Sequence, residues 1–211
     1  NLNSNLIDIS QKDKALVYLK DNNVYINDEL VYIDDNKRKL LGNHNLENIL
    51  CAVAACLLHG CELEAIKDVL ATFAGVRHRS QFVREWKGRK IYNDSKATNC
   101  LATKSALEAF NKPIVLLAGG LDRGHSFEEL RESMGNVKAV VAFGETGLRF
   151  IEFAKTCGVK ETVAATNVED AVVYAANLSA QDDIILLSPA CASWDQYDSF
   201  EIRGDVFIDC V

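Results

Sequence analysis

Residues 114–124 read Ile-Val-Leu-Leu-Ala-Gly-Gly-Leu-Asp-Arg-Gly. The apolar run is continuous. A strand with one wet face would alternate, so this run fits a strand covered on both faces, as in a parallel sheet. Ala139–Phe143 and Ile184–Leu187 repeat the pattern. Around them, strand-like segments fall at 80–86, 89–92, 113–118, 137–143, 161–165 and 183–187. Helix-like segments fall near 100–110, 126–135, 145–157, 167–179 and 199–210. Ser126 and Glu129 have the spacing of a capping box opening the second of these helices. This alternation predicts an open, doubly wound α/β sheet with helices on both faces over 77–211.

Upstream the pattern differs. Residues 14–33 hold three short clusters of β-branched and aromatic residues separated by Asp/Asn turns, which predicts short strands. Residues 45–59 are apolar almost all round and predict a deeply buried helix. Residues 62–73 predict an amphipathic helix through Leu63, Ile66, Val69, Leu70 and Phe73. Ala74-Gly-Val-Arg77 marks the expected boundary, giving domains 1–76 and 77–211.

The 211 residues carry a formal net charge of -7, which argues against a sequence-independent grip on nucleic acid. No apolar run is long enough for a membrane helix, and the polar N-terminal stretch is not a signal peptide. The seven cysteines form no zinc spacing, so they read as small buried hydrophobes in a reducing, cytoplasmic setting. The chain begins at Asn1 and not at Met, which suggests a piece of a longer protein.

Ligands of an open parallel sheet bind beyond the carboxyl ends of its strands. That rule selects the loops Asn93–Asn99, Gly119–Gly124 and Ser188–Ser193. Together they offer Asp94, Lys96, Thr98, Asp122, Arg123 and Ser193, a set suited to a small carboxylate, though each loop alone also fits ordinary turn chemistry. Gly119–Ser126 nearly matches a phosphate loop, but His125 stands where the lysine is required, so no such loop is read there or elsewhere. Gly42-x-His44-Asn45-x-x-Asn48 opens the buried helix, either as a cap by Asn45 or as amides reading a base edge. Arg77-His78-Arg79 reads either as a solvated basic patch or as cations set against phosphates.

In this order, Gly42-x-His-Asn-x-x-Asn48, His78-Arg79, NDSKATN at 93–99, GGLDRG at 119–124 and SPACASWDQ at 188–196 resemble the Mur ligases, in the branch that adds D-glutamate to the peptidoglycan precursor. The likeness runs from about residue 14 to 211. The resemblance implies that 1–76 is the end of a central ATP-binding domain and 77–211 a C-terminal Rossmann-like domain. It also implies that the phosphate loop, a magnesium-binding acid and a carbamylated lysine lie upstream. This chain alone is then expected to be inactive and to hold no catalytic or metal-binding residue of its own.

The implied reaction is ADP-forming amide ligation in the bacterial cytoplasm by a monomeric enzyme. ATP, with Mg2+, phosphorylates the carboxylate of UDP-N-acetylmuramoyl-L-alanine, and the amine of D-glutamate attacks the acyl phosphate. By resemblance Asn45, Asn48, His78, Arg79 and Asp94 form the nucleotide side. Lys96, Thr98, Arg123, Ser193 and Phe200 form the D-glutamate side. Two positions depart from the family habit. Position 123 is often Lys there, and Gln81 stands where Glu is common. The alternatives are a sister Mur or folylpolyglutamate ligase, or a Rossmann-like binding module without catalysis.

Overall fold

The computed structural model describes residues 8–10, 14–15, 17–20, 23–26, 28–31 and 44–211. The chain divides into two compact units, Asn1–Ala74 and Gly75–Val211.

The first unit holds a four-stranded sheet in the order β1 (Ile9–Ser10), β2 (Val17–Lys20), β3 (Asn23–Ile26), β4 (Glu29–Val31). β1 runs parallel to β2, and the remaining pairs are antiparallel. Two helices follow, α1 (His44–Leu58) and α2 (Leu63–Thr72). Val17 and Val24 of the sheet pack with Ile49, Leu50, Val53 and Ala54 of α1 and Ile66 of α2. The all-round burial expected for α1 is not found. Its Leu46, Ile49, Leu50, Val53 and Ala54 are buried, whereas Cys51, Cys56 and Leu58 are exposed, because among the described elements the strands and α2 pack on the first face. The cysteine reading needs the same correction. Cys100 and Cys191 are buried, but Cys51, Cys56, Cys61 and Cys210 are exposed free thiols.

The second unit is the predicted α/β sheet. Its six strands are β5 (Gln81–Trp86), β6 (Arg89–Asn93), β7 (Ile114–Gly119), β8 (Val137–Phe143), β9 (Glu161–Ala164) and β10 (Ile184–Leu187), in the order β5-β6-β10-β7-β8-β9. β5 forms an antiparallel edge hairpin with β6, and the other five strands are parallel. Continuous apolar runs become two cores because alternate residues leave opposite faces. Ile114, Leu116 and Ala118 join one cluster with Leu107 of α3 (Cys100–Glu108) and Phe150 of α4 (Gly147–Thr156). Val115 and Leu117 join the other with Val168 and Ala171 of α5 (Val168–Leu178) and Phe207 of α6 (Phe200–Cys210).

The segment after β7 departs from expectation. Glu128–Asn136 is a 3-10 helix without a side-chain cap. Ser126 Oγ accepts from the Glu128 N–H at 3.2 Å, two residues on, so the capping box does not form. Asn99, Asn167 and Ser199 do cap α3, α5 and α6, each accepting from the backbone N–H three residues later. Among the described residues no helix is long and apolar enough to cross a membrane.

Candidate ligand rim of the second unit

β6, β10 and β7 lie side by side, so the three polar loops share one edge of the sheet. Backbone bonds continue the register past the strands. Asp94 N–H donates to Leu187 O at 2.7 Å, Gly119 N–H to Pro189 O at 2.9 Å, and Leu121 N–H to Ala192 O at 2.9 Å. Gly119 and Gly120 take φ of +120° and +141°. A Cβ at Gly120 would run into Ala192 O and, at Gly119, into Phe143 O, so only glycine fits where these loops cross.

Asp94 is buried and accepts from three donors: Ser80 N–H at 2.9 Å, Ser80 Oγ at 3.4 Å and Ser188 Oγ at 2.7 Å. Burial pushes its carboxyl up to about 6, against the opposing pull of the Ser188 and Ser80 bonds and of the Arg79 charge. Asn93 sets the next layer down. Its Oδ1 accepts from Ser95 N–H at 3.0 Å, which fixes the amide so that Nδ2 donates to Gly204 O and to His78 Nδ1, both at 3.0 Å. Nδ1 of His78 is therefore the acceptor, and the neutral ring carries its proton on Nε2, 3.4 Å from Asp205 Oδ1. Burial lowers the His78 pKa, the same direction as this tautomer requires. His78 is 4% exposed, so its ring braces the rim from beneath. The turn that carries it is strained, with φ of +62° at His78 and +42° at Ser80. Gln81 holds that turn by accepting from His78 N–H at 2.9 Å, a bond that needs an acceptor oxygen but no charge.

Arg203 of α6 was missed in the sequence. It is fully buried, and its guanidinium donates to Ser95 Oγ at 3.0 Å, Ser95 O at 2.8 Å and Cys191 O at 3.0 Å. All three acceptors are neutral. Burial lowers its pKa to about 10, a large departure for a guanidinium. Its position in a helix with polar neighbours offered no sign of this, because the acceptors belong to two distant loops.

The remaining predicted residues of this rim differ in exposure. Lys96 is exposed, with Nζ 5.4 Å from the centre of the half-buried Phe200 ring. Thr98 is half-buried, on a tight turn closed by its N–H to Lys96 O at 2.9 Å. Arg79 and Arg123 are exposed. Neither their side chains nor that of Lys96 has a hydrogen bond or ion pair among the described residues. Asp122 is otherwise engaged, since its Oδ1 accepts from Gly124 N–H at 2.7 Å and pairs with Arg149 at 3.0 Å. Ser193 is 2% exposed, and its Oγ is buried without a hydrogen-bond partner. Asn45 and Asn48 belong to the first unit, one turn apart at the start of α1, with Asn48 Nδ2 donating to Asn45 Oδ1 at 3.4 Å. Asn45 stands inside the helix and not at its cap. Gly42 and the His44 side chain lie outside the described residues.

Residues 78–191 match the family described as Mur ligase, glutamate ligase domain. The chain is 55% identical over 172 residues to the UDP-N-acetylmuramoylalanine–D-glutamate ligase of Bacillus subtilis, covering 82% of this chain and 38% of that protein. It is 54% identical over 194 residues to the ligase of the same name from Listeria monocytogenes, covering 92% and 42%. The chain thus spans about two fifths of the length of these curated relatives. Among solved structures it resembles the UDP-N-acetylmuramate-alanine ligase of Thermotoga maritima at a TM-score of 0.65 and 16% identity, over 96% of this chain and 47% of that one. The folylpolyglutamate synthase of the same organism gives 0.57 and 18%, over 80% and 40%. Both likenesses concern the fold.

Proposed function

The chain belongs to the Mur ligase family, and from that premise we propose that it forms part of a ligase joining D-glutamate to UDP-N-acetylmuramoyl-L-alanine at the expense of ATP. The observation that carries this reading is electrostatic. Arg79, Lys96 and Arg123 stand on one sheet edge with no ion pair among the described residues, beside the unpaired hydroxyl of Ser193. A buried hydroxyl without a partner costs about 1–3 kcal/mol. A small dicarboxylate amino acid would neutralise Lys96 and Arg123 and pair the hydroxyl, leaving Arg79 for a phosphate. The identity to ligases named for D-glutamate supports that choice of ligand.

In this reading Lys96, Thr98, Arg123, Ser193 and Phe200 hold D-glutamate with its amine free to attack. Arg supplies a planar fork at 123 and Lys a point charge at 96. Asp94, with three of its roughly four lone-pair positions already used, keeps one for a ribose hydroxyl. Arg79 faces phosphate, and His78 acts indirectly by bracing the turn that carries Arg79. ATP converts the poor carboxylate leaving group of the precursor into an acyl phosphate. The contribution of these residues is positioning and charge neutralisation. No cluster of three or more His, Cys, Asp or Glu stands together among the described residues, so no step is assigned to a metal held by them.

The test is ADP release by the full-length ligase with ATP, Mg2+ and UDP-N-acetylmuramoyl-L-alanine. D-glutamate and L-glutamate are supplied in parallel. Release dependent on D-glutamate is expected, and no release with either isomer from folded protein would overturn the reading.

A further inference from the structure

Trp194 is 65% exposed, unusual for the largest apolar side chain. Its ring lies under the guanidinium of Arg123, with the Arg123 Cζ 4.8 Å from the ring centre. The two residues sit on different loops whose backbones are tied together on both sides of the pair. On one side Leu121 N–H donates to Ala192 O at 2.9 Å. On the other, Glu145 bridges the loops: its Oε2 accepts from Asp122 N–H at 3.0 Å, and its own N–H donates to Asp195 Oδ2 at 3.0 Å. The turn bearing Trp194 is closed further by Gln196 N–H and Tyr197 N–H, both donating to Ser193 O, at 3.0 and 2.8 Å.

Both backbones are thus fixed, yet among the described residues the Arg123 side chain has no carboxylate partner. Asp122, next to it in sequence, is held by Arg149. The indole is the one group that the described contacts set against the guanidinium. A cation over an aromatic face is attracted by the ring quadrupole, and the flat guanidinium keeps its edge N–H groups free while its face is covered.

We propose that Trp194 is a positioning residue for ligation: it holds the Arg123 fork in place so that its N–H edge meets a carboxylate of the incoming amino acid. The proposal rests on the D-glutamate reading above. Without the indole, a long exposed side chain must be ordered at the moment of binding, which weakens affinity for the amino acid and leaves the other substrates untouched.

The experiment is a double-mutant cycle in the full-length ligase, with KM measured separately for D-glutamate, ATP and the UDP-linked substrate. Trp194→Ala should raise KM for D-glutamate about fivefold, with the other two constants unchanged. Trp194→Phe, which keeps an aromatic face, should recover most of the loss. In Arg123→Ala, adding Trp194→Ala should produce no further rise, since the platform has nothing left to hold. Additive effects, or an unchanged KM in Trp194→Ala while Arg123→Ala is impaired, would overturn the platform alone. An unchanged D-glutamate KM in Arg123→Ala would overturn the D-glutamate reading itself, and the platform with it.

Discussion

Ser188 Oγ donates to Asp94 Oδ2 at 2.7 Å, joining the ends of neighbouring parallel strands that are far apart in sequence. The same carboxylate also takes the Ser80 N–H, so one side chain pins the 76–80 turn, the end of β6 and the end of β10. It does so while buried, and that makes its ionisation costly.

The cost has a sign that can be measured. With a folded pKa of about 6, above the ordinary carboxylate value, the folded chain binds more protons than the unfolded chain across the interval between them. The stabilising contribution of Asp94 is therefore fully present below about pH 4 and is lost as pH rises through about 6, a change on the order of 3 kcal/mol. Asp94→Asn cannot titrate. Its deficit against the native chain, followed by thermal unfolding, should shrink between pH 4 and pH 7. A deficit that grows over that range would contradict the assignment.

Arg203 predicts a different kind of loss. Its removal in Arg203→Ala strands the carbonyls of Ser95 and Cys191, while the Ser95 hydroxyl keeps only its bond to Phe200 O at 2.8 Å. At about 1–3 kcal/mol for each buried group left unpaired, destabilisation of roughly 3 kcal/mol or more is expected in chemical denaturation. Arg203→Lys restores the charge but not the three-way fork, so it should recover only part of this.

Gly204 lies against the face of His78. A Cβ there would overlap the imidazole at Nδ1, the atom that accepts from Asn93. Gly204→Ala should displace the ring, break that bond and cost about 1–3 kcal/mol through overpacking. An unchanged denaturation midpoint would show that the ring moves freely.

Arg123→Ala should act on function and not on folding, because the side chain is exposed and has no ion pair among the described residues. Loss of a charge-assisted contact worth about 1.5–3 kcal/mol corresponds to a rise of roughly 10- to 100-fold in KM for D-glutamate. The KM for ATP should stay level.

Much of this architecture is visible in the primary structure because it depends on local pattern. Uninterrupted apolar runs at 114–118, 139–143 and 184–187 mark strands covered on both faces, and the polar loops that follow them do share an edge. What stayed hidden depends on partners distant in the chain. Nothing near Arg203 tells that three oxygens from two loops await it. His78 looks like one member of a basic triplet, yet Asn93 and Gly204 bury it. Ser126 and Glu129 have capping-box spacing, but the chain there coils as a 3-10 helix, which moves the N–H nearest the hydroxyl to Glu128. The apolar face of α1 that is left open shows the same limit, since periodicity marks surface able to be buried and not whether anything covers it.

The strand order also sets a timetable. β10 is synthesised after β7, β8 and β9 but lies between β6 and β7. While the chain emerges from the ribosome, the β5–β6 hairpin and the β7–β8–β9 half therefore have no neighbour to join them. Only residues 184–187 zip the two halves together, and every rim bond from Asp94 to Leu187 and from Gly119 to Pro189 waits on that insertion. Parallel pairings between segments this far apart in sequence form slowly. A nascent chain released before residue 184 would expose two unpaired strand edges, a form that quality-control proteases and chaperones engage.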